Sequence, residues 1–261
     1  MKAAVIGAGN MGGAIARGIA QGNRIRTEDL TVSNPSPGKL EALQAAYPAL
    51  HVTSDNRAAA AGADLVILAV KPWKVEDVLS GLGLVAGQVL VSVAAGVSFA
   101  DLERYAGVPG IPLFRVIPNT AVACLESLTL IASCHATPQQ EAAVTALFDE
   151  MGLTVRVEEA QMGAGTSLAS CGIAYVFKYV EAAVREGVAM GLDAAAAKRM
   201  VAQSLRGAAA ILLEGDADPA AEIVRVCTPG GLTERGIRSL EADGFPEAVA
   251  AAMRASNPQE S

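Results

Sequence analysis

Lys2-Ala3-Ala4-Val5-Ile6-Gly7-Ala8-Gly9-Asn10-Met11-Gly12-Gly13-Ala14-Ile15-Ala16 decides how this chain folds. Lys2 to Gly7 reads as a buried strand, and an apolar helix follows from Met11 to Gln21. The turn between them, Gly7-Ala8-Gly9-Asn10-Met11-Gly12, fits G-x-G-x-x-G. That pattern alone is weak. Its meaning comes from its place, directly after a strand and at the opening of a helix. Gly7 permits the tight turn, Gly9 lets the backbone reach a pyrophosphate, and Gly12 lets the helix lie against the strand. The helix N-terminus, with Asn10 and Met11 at its start, offers free N–H groups and partial positive charge to phosphates. The competing reading is a glycine-rich turn with no ligand.

Outward from this turn, strands and helices alternate. Strands are expected at Leu30 to Ser33, His51 to Thr53, Asp64 to Val70, Val89 to Val93, Phe114 to Ile117, Leu128 to Ser133 and Thr154 to Val157. Helices are expected at Lys39 to Tyr47, Arg57 to Ala61, Val75 to Leu79, Phe99 to Tyr105 and Pro138 to Met151. Short apolar strands without polar alternation specify a mainly parallel sheet covered on both faces. After Val157 the pattern changes to alanine-rich helical stretches, Gln161 to Gly191, Asp193 to Glu214, Ala220 to Val226 and Thr233 to Ala255. Asp193 suits an N-cap and Gly215 a stop. The expected fold is α/β: an N-terminal Rossmann-type dinucleotide-binding domain over residues 1–157, then an all-helical domain over 158–261.

The bulk numbers bound the function. The chain has 261 residues, 52% hydrophobic but only 4% aromatic, so its core is built from Ala, Val, Leu and Ile. Mean hydropathy is +0.36. No membrane span is expected, because the most apolar stretch, Leu65 to Val70, is far shorter than the roughly 20 residues a bilayer requires. No signal peptide is expected either, since glycines interrupt the first apolar run. The surplus of apolar residues points instead to a large oligomer interface. A net charge of −7 with no basic stripe argues against nucleic acid. Cys124, Cys134, Cys171 and Cys227 are scattered, which is neither a metal pattern nor a disulfide framework, so no metal is expected and a reducing cytoplasm is. His51 and His135 lack a neighbouring nucleophile motif and read as surface residues.

An NAD-selective site places an acid at the end of the second strand. Here that position carries Ser33-Asn34-Pro35-Ser36, with Lys39 nearby and a fresh helix N-terminus, while Asp29 lies at the wrong end of the strand. Those donors suit a 2′-phosphate, so NADPH is expected, with NADH as the second candidate. Ala69-Val70-Lys71-Pro72 and Ala94-Ala95-Gly96-Val97 follow the next strands, where such sheets bind ligands. Small residues there let a nicotinamide ring slide against backbone.

These segments, together with Pro118-Asn119-Thr120 and Cys227-Thr228-Pro229-Gly230-Gly231-Leu232-Thr233, occur in one order along the chain. In that order they resemble the pyrroline-5-carboxylate reductase family from end to end. The resemblance implies NADPH-dependent reduction of the C=N bond of 1-pyrroline-5-carboxylate to L-proline, the last step of proline biosynthesis. It implies cofactor roles for Ser33, Asn34, Ser36, Asn56, Ala69, Val70, Lys71, Pro72, Ala95, Gly96, Val97 and Asn119. It implies a substrate loop of Thr228, Gly230, Gly231, Leu232 and Thr233, matching S-P-G-G-x-T with threonine for the first serine. Interlocked homodimers, assembling further into rings of dimers, are implied as well. One segment departs from the family: S-G-S-G-P-A-Y-x-F is replaced by Ala169-Ser170-Cys171-Gly172-Ile173-Ala174-Tyr175-Val176-Phe177. Losing the proline frees φ and restores an N–H, so a continuous helix is expected there.

Imine reduction asks little of the protein beyond placement, because a protonated cyclic imine is already electrophilic. Thr233 is the candidate catalytic residue, its hydroxyl orienting the ring nitrogen. Gly230, Gly231 and Leu232 open a helix whose N–H groups suit a carboxylate. Competing readings are a reductase of another cyclic imine, a β-hydroxyacid-type dehydrogenase, and a non-catalytic NADPH-binding regulator. The second would need a lysine followed four residues later by asparagine in the first helix of the second domain. Lys178 is followed there by Ala182.

Overall fold

The computed structural model describes residues 1–215 and 217–257. Asp216 and residues 258–261, the end of the domain expected over 158–261, lie outside the described residues. The chain forms two compact units, Met1–Cys171 and Gly172–Ser256.

The first unit is built on one eight-stranded sheet. Its strands are β1 (Ala3–Ile6), β2 (Leu30–Ser33), β3 (His51–Thr53), β4 (Leu65–Leu68), β5 (Val89–Ser92), β6 (Leu113–Pro118), β7 (Ser127–Cys134) and β8 (Gly152–Arg156). They lie in the order β3-β2-β1-β4-β5-β6-β7-β8, and every neighbouring pair is parallel except β6 with β7. The order reverses between β1 and β4. The carboxyl ends of those two strands therefore flank the crevice where open sheets of this kind bind ligands.

Two apolar layers explain why the strands lack polar alternation. Side chains point to opposite faces in turn, and both faces are covered. Ala3 and Val5 of β1, with Leu65 and Ile67 of β4, face the layer formed by α1 (Asn10–Gln21), α2 (Pro37–Ala46) and α6 (Pro138–Asp149). Ala4, Ile6, Val66 and Leu68 face the layer of α3 (Asn56–Ala60), α4 (Val75–Leu82) and α5 (Phe99–Ala106).

The helix expected over Gln161 to Gly191 is present without a break from Met162 to Ala189, with a π-helical segment inside it. It runs as α7 (Met162–Gly165), a π-helical turn over Thr166–Cys171, and α8 (Gly172–Ala189). Thr166 Oγ1 donates to the Met162 carbonyl at 2.6 Å and Ser167 Oγ to the Gly163 carbonyl at 3.4 Å. Such hydroxyl back-bonding bends a helix and loosens its ladder. Met162 and Ala169 pack into the second apolar layer, which carries the first compact unit past residue 158 to Cys171.

The second unit is helical: α8, α9 (Ala194–Glu214), α10 (Pro219–Val226), α11 (Leu232–Ala242) and α12 (Phe245–Ala255). Asp193 caps α9, accepting from the Ala196 N–H at 2.9 Å. The one helix expected over Thr233 to Ala255 is two. Gly244 takes φ +76° between them, and Pro246 falls in the first turn of α12, where it lacks the N–H that a continuous helix would use. Among the described residues of this unit only Gly172 and Ala197 are buried.

Gln88 ties the segment before β4 to the segment before β5 without any sequence signal. It is 6% exposed; its Nε2 donates to the Ala60 and Ala63 carbonyls at 2.9 and 2.8 Å, and its Oε1 accepts from the Val85 N–H at 2.9 Å. Gln88→Leu leaves all these backbone groups without that partner. The expected cost is about 2–4 kcal/mol, read from the midpoint of urea unfolding at unchanged slope.

Candidate active site

The end of β1 is governed by closeness. Gly7 has φ +102°, and a Cβ there would lie 2.6 Å from the Ala69 carbonyl oxygen. A Cβ on Gly12 would overlap the Gly7 carbonyl and lie 2.8 Å from the Ala69 Cβ. Helix α1 thus sits directly on the ends of β1 and β4. Gly9 behaves differently: a Cβ there would meet nothing within 4 Å. Gly9 is also the N-cap of α1, with no capping side chain and no acid in the first turn. The first N–H groups of α1 therefore open onto free space, as an anion site requires. Asn10 is exposed at this mouth and Met11 is half-buried against the first layer.

At the end of β2 the expected cofactor residues divide into two kinds. Ser33 and Asn34 are buried. Asn34 Oδ1 accepts from the Ala8 N–H at 3.0 Å, its Nδ2 donates to the Ser36 carbonyl at 3.1 Å, and the Gly7 N–H donates to the Ser33 carbonyl at 2.8 Å. Asn34 is a brace between the glycine turn and the next loop. The Ser33 hydroxyl donates to Asn56 Oδ1 at 2.7 Å and fixes the start of α3. The exposed groups are Ser36 and Lys39. Ser36 is the N-cap of α2, makes no side-chain cap hydrogen bond, and the first turn of α2 holds no acid. Asp29 lies before β2 and pairs with Arg26 at 2.9 Å.

Further along the same edge, Ala69 and Val70 are half-buried and Lys71-Pro72 exposed after β4. The Lys71 ammonium lies 5.9 Å from the centroid of Trp73, which is 74% exposed. Trp73 was not singled out in the sequence, yet it is the chain's one tryptophan and stands beside this loop. After β5, Ala95 and Gly96 are exposed and Val97 is buried. Behind that loop stands a second unforeseen feature. Glu159 Oε1 accepts from the Phe99 N–H at 2.8 Å and from Arg115 Nη1 at 2.7 Å. Arg115 was visible as a charge inside the apolar strand Leu113-Phe114-Arg115-Val116-Ile117; only its distant partner was not. Asn119, after β6, is 7% exposed; it accepts from the Ala121 N–H at 3.0 Å through Oδ1 and bonds Ser127 Oγ at 3.1 Å through its own N–H. It supports the strand end.

In the second unit, Thr228-Pro229-Gly230-Gly231 links α10 to α11. The Gly231 N–H donates to the Thr228 carbonyl at 2.8 Å, and the Gly230 N–H donates to the Glu234 carboxylate at 2.5 Å. Gly231 caps α11 without a side chain. Of the three N–H donors expected for a carboxylate, those of Gly230 and Gly231 are engaged within the loop. The first turn of α11 supplies the remaining one, at Leu232, and adds that of Thr233. Leu232 is 80% exposed and Thr233 is exposed. The Gly230 N–H, followed by Arg238, holds the Glu234 carboxyl below the usual carboxylate range.

The comparisons with known proteins meet this geometry along the whole chain. A family model described as "NADP oxidoreductase coenzyme F420-dependent" matches residues 2–96, and one described as "Pyrroline-5-carboxylate reductase dimerisation" matches 159–260. Pyrroline-5-carboxylate reductase of Mycobacterium leprae is 37% identical, over 97% of this chain and 94% of that protein. Pyrroline-5-carboxylate reductase 3 of Danio rerio is 33% identical, over 98% and 89%. The chain belongs to the pyrroline-5-carboxylate reductase family. A crystal structure of the Plasmodium falciparum pyrroline carboxylate reductase with NADP bound superimposes with a TM-score of 0.89, at 27% identity, covering 100% of this chain and 97% of that one. A longer relative, pyrroline-5-carboxylate reductase 1 of Dictyostelium discoideum, is 31% identical, and the chain spans 47% of its length. Lys178, the residue a β-hydroxyacid dehydrogenase of this plan would need, is 79% exposed and paired with Glu181 at 2.5 Å.

The brace at Asn34 is testable. Asn34→Ala removes the acceptor of the Ala8 N–H, and the expected result is a Kd for NADPH raised roughly tenfold, equivalent to about 1.4 kcal/mol. Fluorescence titration measures it.

Proposed function

We propose that this protein is an NADPH-dependent pyrroline-5-carboxylate reductase that converts 1-pyrroline-5-carboxylate to L-proline, the closing step of proline biosynthesis. The observation that carries the reading is a full-length family match; the uncapped glycine start of α1, the acid-free first turn of α2 and the Gly231 start of α11 support it.

The residues fit the cofactor. The open space above Gly9 and the uncapped start of α1 suit the pyrophosphate. Ser36, Lys39 and the start of α2 suit a 2′-phosphate, and no carboxylate stands there to repel it. Ala69, Val70, Lys71 and Pro72, with Ala95, Gly96 and Val97, border the nicotinamide end; Ser33, Asn34, Asn56 and Asn119 hold these loops in place. NADPH, when bound, supplies the hydride. NADH is the weaker candidate.

The substrate is a cyclic imine carrying a carboxylate. The N–H groups of Leu232 and Thr233 take the carboxylate at the positive end of α11, with Gly230, Gly231 and Thr228 fixing the turn. The Thr233 hydroxyl hydrogen-bonds the ring nitrogen and orients it. A threonine hydroxyl is too weak an acid to protonate the imine at neutral pH, so the substrate arrives protonated and Thr233 acts by placement.

The helical unit is a dimerisation domain in this reading. Phe177, Met190, Leu213, Val224 and Leu232 are each 60% exposed or more in a single chain, and the unit has almost no buried core of its own. Exposed apolar surface of that kind marks an interaction face. A second copy covers it, and dimers assemble further. All four cysteines are free, which agrees with a cytoplasmic setting, and no described helix is long and apolar enough to cross a membrane.

Two measurements test these assignments. Steady-state kcat/KM with 1-pyrroline-5-carboxylate is expected to favour NADPH over NADH; a clear NADH preference contradicts the reading of α2. Thr233→Ala is expected to lower kcat about 10²-fold with the Kd of NADPH nearly unchanged, and near-native turnover would reduce Thr233 to an ordinary first-turn residue.

A further inference from the structure

Glu234 is the acid in the first turn of α11. One carboxylate oxygen accepts from the Gly230 N–H and the other from Arg238 Nη2, both at 2.5 Å. The pair spans one helical turn, and the side chains are 27% and 73% exposed. A carboxylate at the third helical position that reaches back over the N-terminus is a known stabilising arrangement. Its location here adds a consequence. The N–H it takes belongs to the turn that presents the neighbouring donors of Leu232 and Thr233. A substrate carboxylate on those donors would sit beside a second negative charge, and like charges at such range repel. Arg238 lies on the same carboxylate and offsets that charge.

We propose that Glu234 and Arg238 form a charge-compensated pin: Glu234 is a positioning residue that fixes the Thr228–Gly231 turn through the Gly230 N–H, and Arg238 prevents its charge from repelling a substrate carboxylate. The inference rests on the assignment of the imine carboxylate to this loop. It makes the affinity of the loop for an anion depend on a residue that touches no substrate.

The test is steady-state kinetics of the full-length protein at low ionic strength, with NADPH saturating and 1-pyrroline-5-carboxylate varied. Arg238→Gln uncovers the Glu234 charge and is expected to raise the KM of the imine about three- to tenfold, an effect that shrinks as salt is added. Glu234→Gln combined with Arg238→Gln keeps an acceptor for the Gly230 N–H but removes both charges, and is expected to recover most of the lost affinity. Glu234→Ala removes the acceptor and is expected to raise that KM roughly fivefold. In all three, kcat and the KM of NADPH stay near the native values; the melting temperature stays near native in Arg238→Gln, whose side chain is 73% exposed, and falls in Glu234→Ala, which loses the acceptor of the Gly230 N–H. A native KM in Arg238→Gln, or a double variant as impaired as the single, overturns the pin while leaving the substrate assignment intact. A native protein that turns over no cyclic imine carboxylate overturns the assignment and the pin with it.

Discussion

Everything in the first unit depends on the contact between α1 and the ends of β1 and β4, which exists only because Gly12 has no side chain. The Gly7 carbonyl and the Ala69 Cβ occupy the space a Cβ would need. That closeness sets the start of α1, with its uncapped N–H groups, at the point where the strand order reverses. Gly9, one turn earlier in the chain, keeps the approach open. The remaining loops follow from the sheet, since β1, β2, β4, β5 and β6 run parallel and end on one edge.

A second constraint is electrostatic. The chain carries a net charge of −7, yet its proposed ligands are a polyanionic cofactor and a carboxylate. The resolution is local. The starts of α1 and α2 carry no acid in their first turns, and helix N-termini rather than clusters of arginine are the proposed partners of the anions. Helix α11 is the exception, and its acid is matched by Arg238. Backbone recognition of this kind leaves few charged side chains to read in a sequence.

That explains what could be read in advance and what could not. The sheet, its strand limits to within a residue or two, and the glycine turn were legible because period, apolarity and glycine spacing are local properties. The break between α11 and α12 was also written in the chain, at Gly244-Phe245-Pro246, and the helical periodicity running across it hid the stop. The π-helical turn at Thr166–Cys171 was not legible, because it depends on hydroxyl back-bonding and on where Met162 and Ala169 find the sheet. Site residues followed the same division. Position marks Ser33 and Asn34, and the family resemblance marks Asn119, as cofactor residues; what neither shows is that their side chains also bond to Asn56, Ala8 and Ala121 and hold the loops. Sequence distance conceals such partners, as it conceals Glu159 from Arg115.

The reaction rests on one step, the passage of hydride from NADPH to the C=N carbon of 1-pyrroline-5-carboxylate. Isotope transfer tests it most directly: NADPH carrying deuterium at the reactive nicotinamide carbon is incubated with the protein and 1-pyrroline-5-carboxylate, and the product is examined by NMR and mass spectrometry. The expected product is L-proline with one deuterium, on the ring carbon that had been doubly bonded to nitrogen and in a single orientation. Deuterium at another position, in both orientations, or retained in the cofactor with no proline formed would contradict it.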